Sequence, residues 1–297
     1  MDKYNTRATI ENTTLWETLF VVTKDGKKKP SIRFWRWCSI IGVHLLFFLS
    51  YHIDLQMLEG TLSGSRFLGF HLIDPYMTLQ VFAAHHEIPT NLIIGTVTII
   101  LGYLLLGGRA YCSWVCPYGL IGEIGEKLHK TLVKKKIIKS HPFNHNVKYI
   151  FWVLFLVFAF ISGYLVFEVF NVVGIISRSI IYGWGVALSF VLAVFLVEVF
   201  YSQRAWCRYV CPLGTTYALI GWGSATKIKW DDRCDHCQVC TQVCIVPHVL
   251  EITKKNADRQ GKKEISIMSG DCTLCGRCVE VCHTDALNFE TKLKKLI

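Results

Sequence analysis

The chain has 297 residues, 52% of them hydrophobic and 18% charged, with nine Trp and thirteen Cys. A mean hydropathy of +0.36 exceeds what an ordinary soluble domain of this length shows and points to segments placed in lipid. The formal net charge of +10 does not imply nucleic acid, because Lys and Arg gather beside apolar runs, as they do at a cytoplasmic membrane surface.

A polar segment, 1–33, comes first. Four apolar runs follow at 34–53, 89–107, 149–168 and 180–201, each close to the roughly 20 residues that a spanning helix needs. The first run lies behind a long polar stretch and has no small-residue cleavage site, so it is expected to be a retained span rather than a signal peptide. Lys and Arg alternate between the flanks: eight in 1–36, Arg66 alone in 54–88, eight in 108–148 and Arg178 alone in 169–179. That alternation predicts a multi-pass protein of the bacterial cytoplasmic (inner) membrane, with both termini and the 108–148 loop cytoplasmic.

The membrane part is duplicated. Arg109-Ala110-Tyr111-Cys112-Ser113-Trp114-Val115-Cys116-Pro117 recurs as Arg204-Ala205-Trp206-Cys207-Arg208-Tyr209-Val210-Cys211-Pro212, each copy just past an even-numbered span. Spacing i, i+4 predicts both thiols of a copy on one helix face, before a Pro that ends the helix. After Pro117, Leu120, Ile124 and Leu128 alternate with Glu123, Lys127 and Lys130, which reads as an interfacial amphipathic helix. Cys112, Cys116, Cys207 and Cys211 admit three readings: small buried residues, a redox dithiol, or four thiolates holding a third iron–sulfur site.

The C-terminal region carries the densest chemistry. Cys234, Cys237, Cys240 and Cys244 form a C-x2-C-x2-C-x3-C run, and Cys272, Cys275, Cys278 and Cys282 repeat it. A four-cysteine zinc site uses such pairs too, but this doubled spacing is that of bacterial two-cluster ferredoxins. There the fourth cysteine of each run serves the other cluster. Cys234, Cys237, Cys240 and Cys282 are then expected on one [4Fe–4S] cluster, and Cys272, Cys275, Cys278 and Cys244 on a second. The Pro usual after the fourth cysteine is replaced by Ile245 and His283, and the insert 245–271 reads as a solvated hairpin.

The fold class expected is an all-α polytopic membrane domain of four transmembrane helices in two duplicated hairpins, plus a small α+β two-[4Fe–4S] ferredoxin domain. The divisions are 1–33, a first hairpin 34–107, a cytoplasmic motif and interfacial helix 108–148, a second hairpin 149–223 and the ferredoxin domain 224–297. Ionisable residues in or beside spans are functional candidates by default, which singles out His44, Glu168 and Glu198. The first outside loop adds His52, Asp54, His71, Asp74, His85, His86 and Glu87 as possible proton acceptors, although Asp74 before Pro75 also reads as a helix cap. His44 is the one central intramembrane His, too few for a paired haem, and Cys38 reads as a buried small residue.

Four spans, two Cys-x-x-x-Cys-Pro copies and two ferredoxin runs in that order, with a Ser63-Gly-Ser65 … Asp74-Pro75 outside loop, resemble the NapH family. These are membrane-bound ferredoxin-type quinol dehydrogenase subunits of periplasmic nitrate reductase systems in anaerobic respiration. The resemblance implies a component of an electron-transfer chain, rather than a stand-alone enzyme. It would oxidise quinol at the lipid bilayer and pass electrons to a partner iron–sulfur subunit and downstream reductase. His44, Asp74 and Glu198, read from their own positions, are the catalytic candidates. The alternative is a polyferredoxin that supplies electrons for assembly or maturation of another respiratory enzyme.

Overall fold

The computed structural model describes residues 19–22, 28–53, 58–67, 69–141, 143–257, 259 and 262–291; Asp54 lies outside them. After a short hairpin, Phe20–Val22 with Lys28–Pro30, come helix α1 (Ile32–His52), a three-strand meander over 58–73, α2 (Pro75–His85) and α3 (Thr90–Leu106). They lead into α4 (Ala110–Trp114), α5 (Tyr118–Lys134), α6 (Val147–Ser162), α7 (Val166–Phe170), α8 (Val172–Tyr182) and α9 (Leu188–Phe200). A π-helical turn, Trp206–Val210, and α10 (Pro212–Trp222) precede a C-terminal three-stranded antiparallel sheet with α11 (Val239–Val243) and α12 (Arg277–Glu280).

Two compact units divide the chain. One combines 1–39, 103–114 and 217–297; the other combines 40–102 and 115–216. The first unit holds the ferredoxin-like region. Its strand Thr226–Asp231 lies between Glu264–Ser266 and Leu287–Thr291. Ile228, Trp230, Val249, Leu250, Leu274 and Leu287 make its core around Cys240, Cys275 and Cys278. The insert 245–271 differs from the expected solvated hairpin. Ile245 and Val246 are buried just before a 3-10 turn, Pro247–Thr253, and Val249 and Leu250 within it, and strand Glu264–Ser266 joins the sheet. Its apolar residues claim the core that its lysines concealed in the composition.

In the second unit apolar side chains lie outside and charged ones inside. Ile150, Phe160, Ile161 and Leu192 are exposed while Glu123, Glu126, His129, Glu198 and Arg204 are buried. On α5, Ile124 and Leu128 face outward, while Glu123, expected on the polar face, turns to the interior at 3% exposure. Among the described residues one helix, α1, is long and apolar enough to cross a membrane; α3, α6, α8 and α9 are apolar but shorter. The third predicted run breaks at Gly163, whose φ of 68° caps α6 in the left-handed region. Glu168 therefore sits on the separate α7 instead of at the end of a span. The fourth run loses its first turns at Gly183-Trp184-Gly185, leaving α9 with 13 residues, about 20 Å at 1.5 Å per residue.

Candidate metal centres

Left-handed backbone at matching places shapes both cysteine runs. His236 and Leu274, two residues after the first cysteine, have φ of 61° and 47°; Gln238 and Gly276, one residue after the second, have 61° and 71°. For the three non-glycine residues this costs about 1–2 kcal/mol each. Alternating right- and left-handed residues turn successive N–H groups to one side, the concavity that iron–sulfur sites use. The thiols receive such bonds here: Val239 donates to Cys237, Leu274 to Cys272 and Val246 to Cys244.

The cysteines gather across the two runs. Cys240 is within electrostatic reach of Cys234 and Cys282, and Cys237 of Cys240. Cys244 feels Cys275 and Cys272, and Cys278 feels Cys275, Cys272 and Cys244 and, least, Cys240. Burial, then neighbouring thiols, pushes Cys244 up to about 12; burial pushes Cys272 equally far and Cys278 well above the ordinary range. Crowded buried thiols of this kind suit a cluster whose iron takes the place of their protons, so the donor set fits the group. Cys237 is exposed, whereas Cys275 and Cys278 are buried. His283, standing where Pro was expected, pairs through Nε2 with Asp235 at 3.0 Å beside Cys237.

The same unit holds the first part of the first membrane-proximal motif. Arg109 bridges to Asp271 at 3.0 Å, Asp271 also meets His248 Nε2 at 3.1 Å, and Trp114 Nε1 donates to the Leu274 carbonyl at 3.2 Å. The half-buried Cys112 lies on α4 between Arg109 and Trp114. Arg36 donates to the Ser113 carbonyl and Ser39 to the Trp114 carbonyl, satisfying the last carbonyls of α4. A Cβ on Gly108 would collide with the backbone of Tyr217 and Gly221, so only Gly admits that crossing.

In the second unit Cys207 feels both Cys116 and Cys211, together with Glu198 and Arg204; burial first, and Glu198 next, raise its thiol. The expected common helix face is not formed. Cys116 lies beyond the end of α4. Cys211 follows the π turn in extended backbone, φ −64° and ψ 107°, because a residue before Pro is driven out of the helical region. Cys207 itself lies within the π turn.

Around these thiols lies a buried ionic lattice that composition did not reveal. Arg204 Nε donates to Glu126 Oε2 at 2.7 Å, both side chains nearly inaccessible. Glu126 also takes Lys130 at 2.6 Å. Glu198 Oε1 accepts the Trp206 N–H at 3.1 Å, and His129 donates from Nδ1 to the Val199 carbonyl at 2.8 Å. Gly125 lets α5 approach α9: a Cβ there would lie 3.2 Å from the Phe195 ring, tighter than ordinary contact. The i, i+3, i+7 spacing of Gly119, Gly122 and Glu126 was the available signal.

The outside-loop candidates separate. His52, His85, His86 and Glu87 are exposed and His71 is half-buried. Asp74 is buried, caps α2 by accepting the Met77 N–H at 3.2 Å, and is pushed up to about 7 by burial and the nearby Glu168 charge. Buried His44 donates from Nδ1 to the Ile40 carbonyl at 2.8 Å. Cys38 is exposed on α1, against the expectation of burial, in line with its outward neighbours Trp35 and Ile41.

Two sequence families match. One described as a 4Fe-4S binding domain covers residues 88–137 and 184–230, thus both Cys-x-x-x-Cys-Pro copies. One described as a 4Fe-4S dicluster domain covers 233–286. The ferredoxin-type protein NapH of Haemophilus influenzae is 32% identical over 87% of this chain and 89% of its own. NapH of Escherichia coli is 32% identical over 90% and 93%. The methylamine utilization ferredoxin-type protein MauN of Paracoccus denitrificans is 34% identical over 73% and 75%. No solved structure matches. With its iron–sulfur domains and this near full-length likeness, the chain is an iron–sulfur electron-transfer protein and belongs to the NapH family of ferredoxin-type proteins.

Proposed function

We propose that the chain is an inner-membrane subunit that oxidises quinol and passes the electrons through iron–sulfur clusters to a partner ferredoxin-type subunit, toward a periplasmic nitrate reductase. The observation that carries this reading is the joining of two features in one chain. Crosswise cysteine groups sit in one unit, and in the other a cysteine group lies beneath an outward-facing apolar surface. Four crossings by α1, α3, α6 and α9, with both termini cytoplasmic, agree with the alternating Lys and Arg. Tilted or thinned lipid accommodates helices shorter than the hydrocarbon.

Cys234, Cys237, Cys240 and Cys282 are assigned to one [4Fe–4S] cluster, Cys272, Cys275, Cys278 and Cys244 to the second. Bound clusters would supply one-electron storage. The residues do the rest: the left-handed turns aim N–H groups at the sulfurs, and the buried core keeps water from Cys275 and Cys278. The exposed Cys237 marks the side from which a partner would take electrons. Cys116, Cys207 and Cys211 are assigned to a further iron–sulfur centre, supported by the family that matches both of their stretches.

The test is anaerobic mixing of the purified full chain, in detergent or lipid, with menadiol. Bleaching of the cluster absorbance is expected. Clusters that dithionite reduces but menadiol leaves oxidised would refute quinol as the donor.

A further inference from the structure

The stretch that carries the first Cys-x-x-x-Cys motif closes on the second ferredoxin run. Gly107 has φ 112°, and a Cβ on it would collide with the Leu274 side chain. Ala110 packs against the core that contains Leu274, Cys275 and Cys278. Trp114 Nε1 donates to the Leu274 carbonyl at 3.2 Å. Leu274 is the left-handed residue between Cys272 and Cys275, so 107–114 hold the turn that shapes this run. Cys112 lies on the same short helix, α4.

A buried charge comes with that contact. The Arg109 side chain, 6% exposed, donates from Nη1 to Asp271 Oδ1 at 3.0 Å and to the Asp271 carbonyl at 3.5 Å. Asp271 precedes Cys272, and its Oδ2 meets His248 Nε2 at 3.1 Å. Arg109 acts on Cys272 electrostatically more strongly than Asp271 does, so the pair presents its positive side to that sulfur. Arg277 adds a second cation within electrostatic reach of Cys244. The first run has a charge of the opposite sign. Asp235 Oδ1 accepts the Cys237 N–H at 3.3 Å and lies within electrostatic reach of its thiol. Asp235 is 41% exposed and paired with His283, and water screens an exposed charge more than a buried one.

We propose that Arg109 sets the order of reduction within the ferredoxin module. Its buried guanidinium holds the cluster of Cys272, Cys275 and Cys278 at a higher reduction potential than the cluster of Cys234, Cys237 and Cys240. The first electron then settles on the run that the Cys112 stretch holds. Reduction adds one electron, and so one negative charge, to a [4Fe–4S] cluster; no bond forms or breaks. A fixed cation beside a ligating sulfur stabilises the reduced form over the oxidised one, since nearby charge, hydrogen bonds and exposure set these potentials. The exposed Cys237 belongs to the cluster reduced second. This order rests on the reading of both runs as cluster sites, and holds whether Cys244 or Cys282 completes the second.

Anaerobic potentiometric titration of the purified full chain, followed by EPR, reads both potentials, and Cys278→Ser identifies the signal of the second run. In wild type that signal should appear first. Arg109→Met should make its reduction at least tenfold less favourable, a fall of about 59 mV for one electron, with the other potential unmoved; Arg109→Lys should retain most of the wild-type value. Asp271→Asn keeps the cation and removes the acid, so it should move the same signal upward. Opposite shifts require a role of charge, because a pair that only braces the fold would move both variants the same way. Should Arg109→Met lose iron, Asp271→Asn decides: a rise supports the proposal, and a fall or no change overturns it. A wild type whose first electron appears on the first run, or an Arg109→Met whose second-run potential is unmoved, overturns the proposal and leaves both cluster sites standing. A Cys278→Ser chain that keeps every wild-type signal overturns the reading of the second run, and the proposal with it.

Discussion

Arg204 offers the sharpest energetic prediction. Its guanidinium is buried at 3% exposure with Glu126 at 2.7 Å and with Glu123 and Cys207 close enough to act on it electrostatically. Arg204→Met removes the buried cation paired with Glu126 and leaves it Lys130, which is 46% exposed. Removing one partner of a buried pair costs about 3–5 kcal/mol. Glu126→Gln is milder, because Arg204 keeps Glu123 nearby and an amide oxygen replaces the carboxylate; losing one charge-assisted bond costs about 1.5–3 kcal/mol. At about 2–4 °C per kcal/mol for chains of this size class, Arg204→Met should lower the melting temperature by about 6–20 °C and Glu126→Gln by roughly half as much. Circular dichroism of the detergent-solubilised chain reads both. Acidification should narrow the Arg204→Met deficit as the stranded carboxylates protonate. Equal melting temperatures, or a larger loss in Glu126→Gln, would show that Arg204 is not the cation that holds this lattice.

Other outcomes follow from single features. Gly108→Ala would force a Cβ into the Tyr217–Gly221 backbone and should destabilise the first unit by more than the roughly 1 kcal/mol of an ordinary surface change, seen as faster proteolysis of the ferredoxin region. Trp184, 92% exposed between α8 and α9, should, as Trp184→Cys, react in whole cells with a membrane-impermeant maleimide. Lys135→Cys should not; the reverse labelling would invert the proposed topology. Asp74 carries a pH signature. Burial holds it at about 7, above the ordinary carboxyl value of 3.8, so its protonated form is favoured by folding. That contribution is complete below about pH 4 and is lost as pH rises through 7. The melting temperature should fall across that window, Tyr76 and the Arg178-paired Glu168 being the ionisable groups facing Asp74, and the fall should flatten in Asp74→Asn.

The sequence was most legible where spacing and chemistry coincide. Eight cysteines at fixed steps announce a ferredoxin module without any tertiary information, because each C-x-x-C turn is local. The buried acidic face of α5 was not legible. Leu120, Ile124 and Leu128 look the same whether they face a core or lipid, and only the placement of Arg204, far along the chain, tells that Glu123 and Glu126 point inward. Helix lengths failed for a related reason. Hydropathy continues through Gly163 and Gly183-Trp184-Gly185, whereas the backbone does not. Asn171, which caps α8 by accepting the Gly174 N–H, was missed because the Asp74 cap of α2 differs from it in residue type, and the repeat was visible only in its cysteine motifs.

Crosswise ligation by the two ferredoxin runs is the claim on which the electron path depends, and EPR of the fully reduced chain tests it most directly. The wild type should give the broadened spectrum of two interacting [4Fe–4S] clusters, and Cys282→Ser and Cys240→Ser should perturb the same one of the pair. If Cys282→Ser instead perturbs the cluster that Cys278→Ser does, each run holds its own cluster and the assignment is wrong.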